Sequence, residues 1–316
     1  MNTLLPRTIR IKFITILATG IVACMAFAMG PVAHADDITT ALSNTQNTLQ
    51  KIADIKDSTT MSDQEKASLE LQLKESVLTD VITISQQQIT DIETKLNAIS
   101  FPTTDAWKTA HDALITKLTN AYTYFDNLKQ TLATSTQTLD DIKTLAQTIE
   151  QQKTTIFDPV LKQAQDVIAI FNISDILTLA DARLTKVQGD VQKVYDEKLT
   201  TDQNLETMFN DASTALTNAH TANDNSKNII INLYGDQTSS STQQFMTNLS
   251  TTIATQKQAA LIAASSSDPL IITPDSITND DIETYVQNLI ITSITNIKHV
   301  YDVFMTMSAT VHKLLQ

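Results

Sequence analysis

The chain has 316 residues, with 22 Lys and Arg against 35 Asp and Glu, which gives a formal net charge of −13. A chain this acidic repels nucleic acid, so no nucleic-acid partner is expected. Only 4 glycines are present, and phosphate-binding loops, nucleophile elbows and tight hairpins all depend on glycine. The composition therefore argues against the enzyme classes that use such loops.

The first 35 residues have the pattern of a secretory signal peptide. A basic start is followed by an uncharged apolar run over 13–29, and Ala33 and Ala35 place small residues at positions −3 and −1 of a cleavage site. This pattern predicts cleavage after Ala35 and export, so that the protein is secreted or lies in the cell envelope. Retention of the segment as a signal anchor is the alternative.

Cys24 marks a second way of processing the N-terminus. The segment Ile21 to Cys24 resembles the lipobox of bacterial lipoproteins, in which the cysteine becomes a lipidated N-terminus, although the residues after Cys24 are apolar rather than polar. Lipidation at Cys24 is therefore kept as an alternative. If Cys24 is removed with the signal, no cysteine remains, and the mature chain has no disulfide and no thiolate metal site.

The first helices are predicted from apolar spacing and caps. One covers 36–56, and the next begins at a capping box formed by Ser62 and Glu65 and ends near Ile99. Two long patterns follow, over 104–156 and 173–233, in which apolar residues recur at alternating intervals of four and three. The first pattern ends with Ile156 on the apolar face and predicts one continuous helix, with a kink in the Thr-rich stretch 133–138 as the alternative. A shorter helix, begun by Asp158 and Pro159, is predicted between them.

The last part of the chain continues this pattern. Helices are predicted over 242–264 and from Thr278 to the C-terminus, and no segment alternates with a period of two for long enough to predict a strand. The fold class is therefore all-α, an elongated antiparallel helical bundle with long coiled-coil-like helices. It is predicted as a single domain over 36–316.

The two long patterns are predicted to form an antiparallel hairpin, with 104–156 folded back on 173–233. In that register the large residues from Trp107 to Leu118 face the alanines from Ala222 back to Ala212. Pairing large with small residues keeps the interhelical spacing even. A contact between Trp107 and the end of the second helix near Leu177 would contradict this register.

Residue groups that carry chemistry are scarce. No two histidines have the spacing of a metal site on a helix, and no nucleophile with a base is evident. Lys198 and Thr201 interrupt the apolar pattern of 173–233, which indicates either a hinge or a lysine that extends its ammonium to water. No catalytic residue, cofactor or metal ligand is predicted, and the protein is not expected to be an enzyme.

The favoured function is a structural, adhesive or partner-binding role at a bacterial cell envelope, with another protein or a second copy as the partner. A coiled-coil regulator of cell-wall enzymes is one alternative. In another, the layout of long antiparallel helices resembles the α-helical haemolysin and enterotoxin families, which implies a pore-forming protein that inserts a tip over 167–179 into a membrane. The candidate tip residues for membrane or partner contact are Val167, Ile168, Ile170, Phe171, Ile173, Ile176 and Leu177.

Overall fold

The computed structural model describes residues 35–101, 105–134, 137–198, 200, 203–234, 239–263 and 271–314. Within these ranges the regular structure is helical and contains no strand. The prediction of an all-α fold is therefore confirmed, whereas the elongated, coiled-coil form of the bundle stays a prediction. Residues 1–34, which include Cys24 and all of the predicted signal peptide except Ala35, lie outside the described residues.

The described part of the chain forms eight α-helices. Their bounds are Ala35–Asp57 (α1), Asp63–Asn97 (α2), Asp105–Thr134 (α3), Leu139–Gln152 (α4), Asp158–Asp196 (α5), Asn204–Tyr234 (α6), Ser240–Ala263 (α7) and Asn279–Leu314 (α8). A π-helical segment, Lys153–Phe157, joins α4 directly to α5, and a short 3₁₀ turn, Pro274–Ser276, precedes α8.

Side chains cap the starts of several helices. At α2 the Glu65 amide donates to Ser62 Oγ at 3.3 Å, and the Ser62 amide donates to the Glu65 carboxylate at 2.9 Å. Thr278 and Asp281 make the same reciprocal pair at α8. Each pair satisfies amides that have no partner within the helix. The capping box predicted at Ser62 is therefore confirmed.

Threonine occupies many helical positions although its intrinsic helix propensity is low. Its hydroxyl commonly donates to the carbonyl four residues earlier, as in Thr247, Thr251 and Thr255 on α7, with distances of 2.8–3.0 Å. Such bonds satisfy the hydroxyl within its own helix. An outer helix face rich in threonine therefore needs no second helix to satisfy its hydroxyl groups.

The chain divides into two compact units. The first unit contains the described residues up to Lys95 together with Ile115–Leu161, and the second contains Leu96–Leu114 together with the described residues from Lys162 onward. The sequence predicted one domain over 36–316.

In the first unit α2 and α3 are antiparallel. Thr119 Oγ1 donates to Glu93 at 3.2 Å, and Lys129 Nζ donates to Thr83 at 3.4 Å, so residue numbers fall on α2 as they rise on α3. The core between the helices is apolar. It includes Ile82, Ile89, Leu118, Phe125 and Phe157, each at most 2% exposed.

In the second unit α6 is antiparallel to both α5 and α8, while α5 and α8 are parallel to each other. The contacts that establish this are Ser174–Asn223 and Asp181–His220 between α5 and α6, Ala219–Ser293 and Asp211–His299 between α6 and α8, and Gln163–Glu283 and Arg183–Tyr301 between α5 and α8. Small residues of α6 line the contact with α8. Ala212 and Ala219 are fully buried, which allows the two backbones to approach closely.

The prediction of one continuous helix over 104–156 is wrong. The helix α3 ends at Thr134, and α4 begins after Thr138, whose hydroxyl accepts the Asp141 amide while the Asp141 carboxylate accepts the Thr138 amide. This capping box offers the backbone a stable helix start. A Thr-rich stretch with low helix propensity therefore breaks the helix, although the apolar spacing continues through it.

The predicted helix start at Asp158 and Pro159 is also wrong, because the chain stays helical from α4 into α5. In the π turn the Asp158 amide donates to the Lys153 carbonyl, five residues earlier. A π turn already leaves one carbonyl without its α-helical donor, so the missing amide of Pro159 adds little cost there. The extra residue also shifts the apolar face: Phe157 is 2% exposed, whereas Ile156, the predicted core residue, is 49% exposed.

The predicted hairpin of 104–156 with 173–233 is therefore wrong in its helix bounds and in its register. The helix α5 ends at Asp196, and Lys198 adopts a positive φ of 58° beyond it. The ring of Trp107 lies 4.8 Å from that of Phe171, near the Leu177 end that the prediction excluded. The reason is the place of the turn: the chain reverses after Asp196, and the alanines of α6 lie against α8 instead.

Candidate functional site

A cluster of polar side chains lies where the second unit brings α5, the end of α6 and the start of α8 together. The polar cluster consists of Lys162, Gln163 and Asp166 on α5, Tyr234 on α6, and Glu283 and Gln287 on α8. The spacing of three and four residues on α5, and of four residues on α8, places these side chains on one face of each helix. Helix packing therefore determines the position of every member.

Glu283 connects the two parallel helices of the cluster. Gln163 Nε2 donates to Glu283 Oε1 at 2.9 Å, and Lys162 Nζ lies 3.2 Å from Glu283 Oε2. The Glu283 side chain is 14% exposed, so these charge-assisted bonds are partly shielded from water. Gln163 Oε1 is buried and has no hydrogen-bond partner among the described residues.

Asp166 is the most buried acid of the cluster, with 9% of its surface exposed. Burial raises the pKa of Asp166 to about 7, because an ionised carboxylate is poorly solvated there; Lys162 opposes this rise, Glu283 adds to it, and a hydrogen bond with Gln287 opposes it. Asp166 therefore exchanges its proton near neutral pH, unlike an ordinary aspartate.

Tyr234 responds to the same surroundings. Burial raises the pKa of its phenol well above the ordinary value, and the negative charges of Glu283 and Asp166 raise it further. The phenol therefore stays protonated throughout the pH range in which Asp166 titrates, and it keeps its O–H as a donor.

A second group of buried polar residues lies farther along the same three helices. Asn223 is 1% exposed; its Nδ2 donates to Ser174 Oγ at 2.8 Å, while its Oδ1 has no hydrogen-bond partner among the described residues. Ser293, fully buried, donates to the Ala219 carbonyl at 2.5 Å. These bonds join helices through the core, so they fix which residues face each other.

Histidines pair with carboxylates at the rim of this unit. His220 Nε2 donates to Asp181 at 3.0 Å, between α6 and α5, and His299 Nε2 donates to Asp211 at 2.9 Å, between α8 and α6. Both pairs are substantially exposed. Within the described ranges no group of three or more His, Cys, Asp or Glu side chains could hold a metal ion.

The predicted tip residues lie in the middle of α5 rather than at a turn. Val167, Ile170, Ile173 and Leu177 are buried, each at most 3% exposed. Ile168 is partly exposed, and so is Phe171, which packs on Trp107. The segment therefore does not lie at a turn between two helices, because α5 runs without a break from Asp158 to Asp196. Contact of these residues with a membrane or a partner stays a prediction. None of the helices in the described part of the chain has the length and apolar character needed to cross a bilayer.

Ile176 differs from the other predicted residues because 41% of it is exposed. It belongs to an apolar strip on the outer side of α5 and α8. The strip comprises Ile176 and Leu179 on α5 and Ile291, Ile294 and Met305 on α8, which are 41–64% exposed. The contacts Gln163–Glu283 and Arg183–Tyr301 lie on either side of this level of the α5–α8 pair, and their register places Ile176 level with Ile294. Farther along the same helix pair, the guanidinium of Arg183 on α5 lies 5.0 Å from the ring centroid of Tyr301 on α8.

Comparison of the chain with protein-family models, with curated protein sequences and with solved structures yields no match. The roles of the polar cluster and the apolar strip are therefore inferred from the geometry of their residues.

Sequence reasoning missed both features. The signal for the polar cluster was present: Asp166 directly precedes the apolar residues Val167 and Ile168 in a predicted helix, and Lys162 lies one turn earlier. The strip needed the structure, because Ile291 and Ile294 have the same residue type and spacing as core residues. Only the packing of α5 against α8 shows which isoleucines remain uncovered.

Proposed function

We propose that the chain is an exported, non-enzymatic helical protein with a structural or adhesive role at a bacterial cell envelope, where it acts through protein–protein contacts. The observation that carries this proposal is the apolar strip, since large exposed side chains grouped on one face are typical of interaction surfaces. The signal-peptide pattern up to Ala35 supports the location. The long helices support a role in which surfaces rather than a catalytic pocket are used.

The occupant of the strip is a second copy of the chain. A standard interface buries ~800 Å² on each partner and surrounds an apolar centre with a polar rim, and the five exposed side chains of the strip would form that apolar centre. Exposed charges of both signs, Lys298 and Asp302, lie between Ile294 and Met305 on α8, one helical turn apart. A two-fold interface uses the same patch twice, so a patch that carries both charges is self-complementary.

Sedimentation equilibrium on residues 36–316 tests the contact. The wild type is expected to dimerise with rising concentration, and the double variant Leu179→Asp/Ile294→Asp is expected to remain monomeric, because each carboxylate would have to be desolvated in the interface. The matched control is Thr185→Asp/Thr292→Asp, on exposed positions outside the strip, which should dimerise like the wild type. A wild type that stays monomeric up to its solubility limit would overturn the proposed occupant.

Export is tested separately on producing cells. The envelope or secreted fraction is expected to contain a chain that begins at Asp36. A chain found only in the cytoplasm with Met1 still attached would contradict the proposed location, whatever the outcome of the sedimentation experiment.

A further inference from the structure

We propose that the polar cluster is a pH-sensitive clasp, which holds α5, the end of α6 and the start of α8 together while Asp166 carries its proton and loosens when that proton is lost. The proposal goes beyond the envelope role and does not depend on it. It rests on three observations: the burial of Asp166, the bonds that Glu283 makes across the helix pair, and the convergence of three helices at this point.

Charged and polar side chains face Asp166 from all three helices of the cluster. On its own helix the charged neighbour is Lys162, which is paired with Glu283 at 3.2 Å. From α8 it faces Glu283 and receives a hydrogen bond from the side chain of Gln287, and from α6 it faces the neutral phenol of Tyr234. The nearest further ion pair along α8 joins Asp281 to Lys257 of α7 at 2.6 Å.

The net charge of the polar cluster depends on whether Asp166 is protonated. Protonated Asp166 leaves one cation, Lys162, against one carboxylate, Glu283. Ionised Asp166, which is 9% exposed, and Glu283, whose side chain is 14% exposed, leave two carboxylates against the same cation. Two like charges in a shared site disfavour the arrangement that holds them together. The repulsion acts between α5 and α8, the two helices that the cluster joins.

The equilibrium between the closed and the open clasp depends on pH. When the clasp opens, Asp166 meets water, where an aspartate has a pKa of about 3.9. In the closed form burial raises the pKa of Asp166 to about 7, so between these values the closed form binds one proton more than the open form. Opening therefore becomes more favourable as pH rises, by up to about tenfold per pH unit from about pH 4 to about pH 7, and changes no further above that.

The segment that responds is the start of α8. It follows the described 3₁₀ turn at Pro274–Ser276 and carries Glu283 and Gln287 within its first turns. Loosening this end moves α8 relative to α5, whereas Asn223 and Ser293 keep the middle of the three-helix packing joined. The expected change is a local opening rather than unfolding of the unit.

Amide hydrogen exchange of the mature chain, corrected for the intrinsic pH dependence of exchange, tests the clasp. Protection of the amides over 282–290 is expected to be at least tenfold lower at about pH 7 than at about pH 5. In Asp166→Asn, which keeps the size and hydrogen bonding of the side chain but cannot ionise, protection should not vary with pH. The control Asp190→Asn, on the exposed face of the same helix, should behave like the wild type.

Titration of Asp166 by NMR tests the clasp without relying on Asp166→Asn to fold. The side-chain carboxyl of Asp166 can be followed by carbon NMR in the wild type and in Glu283→Gln, with the midpoint expected near neutral pH in the first and lower in the second. A wild-type midpoint below about pH 5, or protection that does not change with pH, would overturn the clasp.

Discussion

The two units use buried polar groups differently. In the first unit the buried Ser85 donates to the Val81 carbonyl of its own helix, and the cross-helix bonds from Thr119 and Lys129 lie at the exposed surface. In the second unit Ser293 donates through the core to another helix, as does Asn223, which is 1% exposed. An apolar core of the first kind tolerates small shifts between helices, whereas buried bonds of the second kind specify one register.

The largest expected effect tests the apolar character of the first unit. Phe125 is 1% exposed, and its ring lies 5.2 Å from that of Phe157. Phe125→Ala should lower the free energy of unfolding by about 3–5 kcal/mol, because it removes buried apolar area and leaves a cavity. Urea denaturation measures the loss. Tyr122→Ala, on the same helix at 39% exposed, is the control and should lose far less; equal losses would show that the core is not where stability resides.

A smaller effect separates the two kinds of polar bond. Ser293→Ala removes a hydrogen bond between α8 and α6 and should lower the free energy of unfolding by about 1 kcal/mol. Ser85→Ala, also buried at 2% exposed, removes only a bond within its own helix. Both changes are from serine to alanine within a helix and gain the same helix propensity, so Ser85→Ala should cost about 1 kcal/mol less than Ser293→Ala. If thermal or urea denaturation shows the same change for both variants, the comparison between the units fails.

The smallest effect concerns the two helix breaks. The break before α4 is stabilised by the Thr138–Asp141 capping box, whereas α5 is followed by Lys198 with a φ of 58°. A left-handed backbone costs about 1–2 kcal/mol for a residue with a Cβ, and glycine avoids that cost at an entropic expense of about 0.5–1 kcal/mol.

Lys198→Gly should therefore raise the free energy of unfolding by about 0.5–1 kcal/mol. Lys198→Val, which is branched at Cβ, should lower it. Denaturation of the two variants beside the wild type gives the answer, and a glycine variant less stable than the valine variant would rule out backbone strain at this position.

The sequence predicts the helices more accurately than the breaks between them. Apolar spacing and the Ser62 capping box locate α1 and α2 to within about two residues, because these signals are local. The Thr138–Asp141 pair has the same Ser/Thr-x-x-acid pattern and was available, but the continuing periodicity outweighed it. The left-handed Lys198 has no such signal, because tertiary packing rather than residue type selects that conformation.

The candidate sites depend even more on packing. Pro159 after Asp158 is a strong local start signal that the π turn overrides, and the chain reverses after Asp196 rather than between 156 and 173. The contact of Trp107 with Phe171, the burial of Asp166 and the exposure of Ile176 all follow from where the chain turns. A pattern within one helix does not contain that information.

The π turn at Lys153–Phe157 also has a consequence for how the chain tolerates changes in length. Removing one residue from a regular helix rotates everything after it by about 100° and takes the apolar face out of the core. At this turn the chain already holds one residue more than an α-helix needs, and the buried face passes from Ile149 to Phe157. Deleting Thr154 would restore regular winding while Phe157 still met the core. This is therefore the place in α4 and α5 where a one-codon deletion can be neutral.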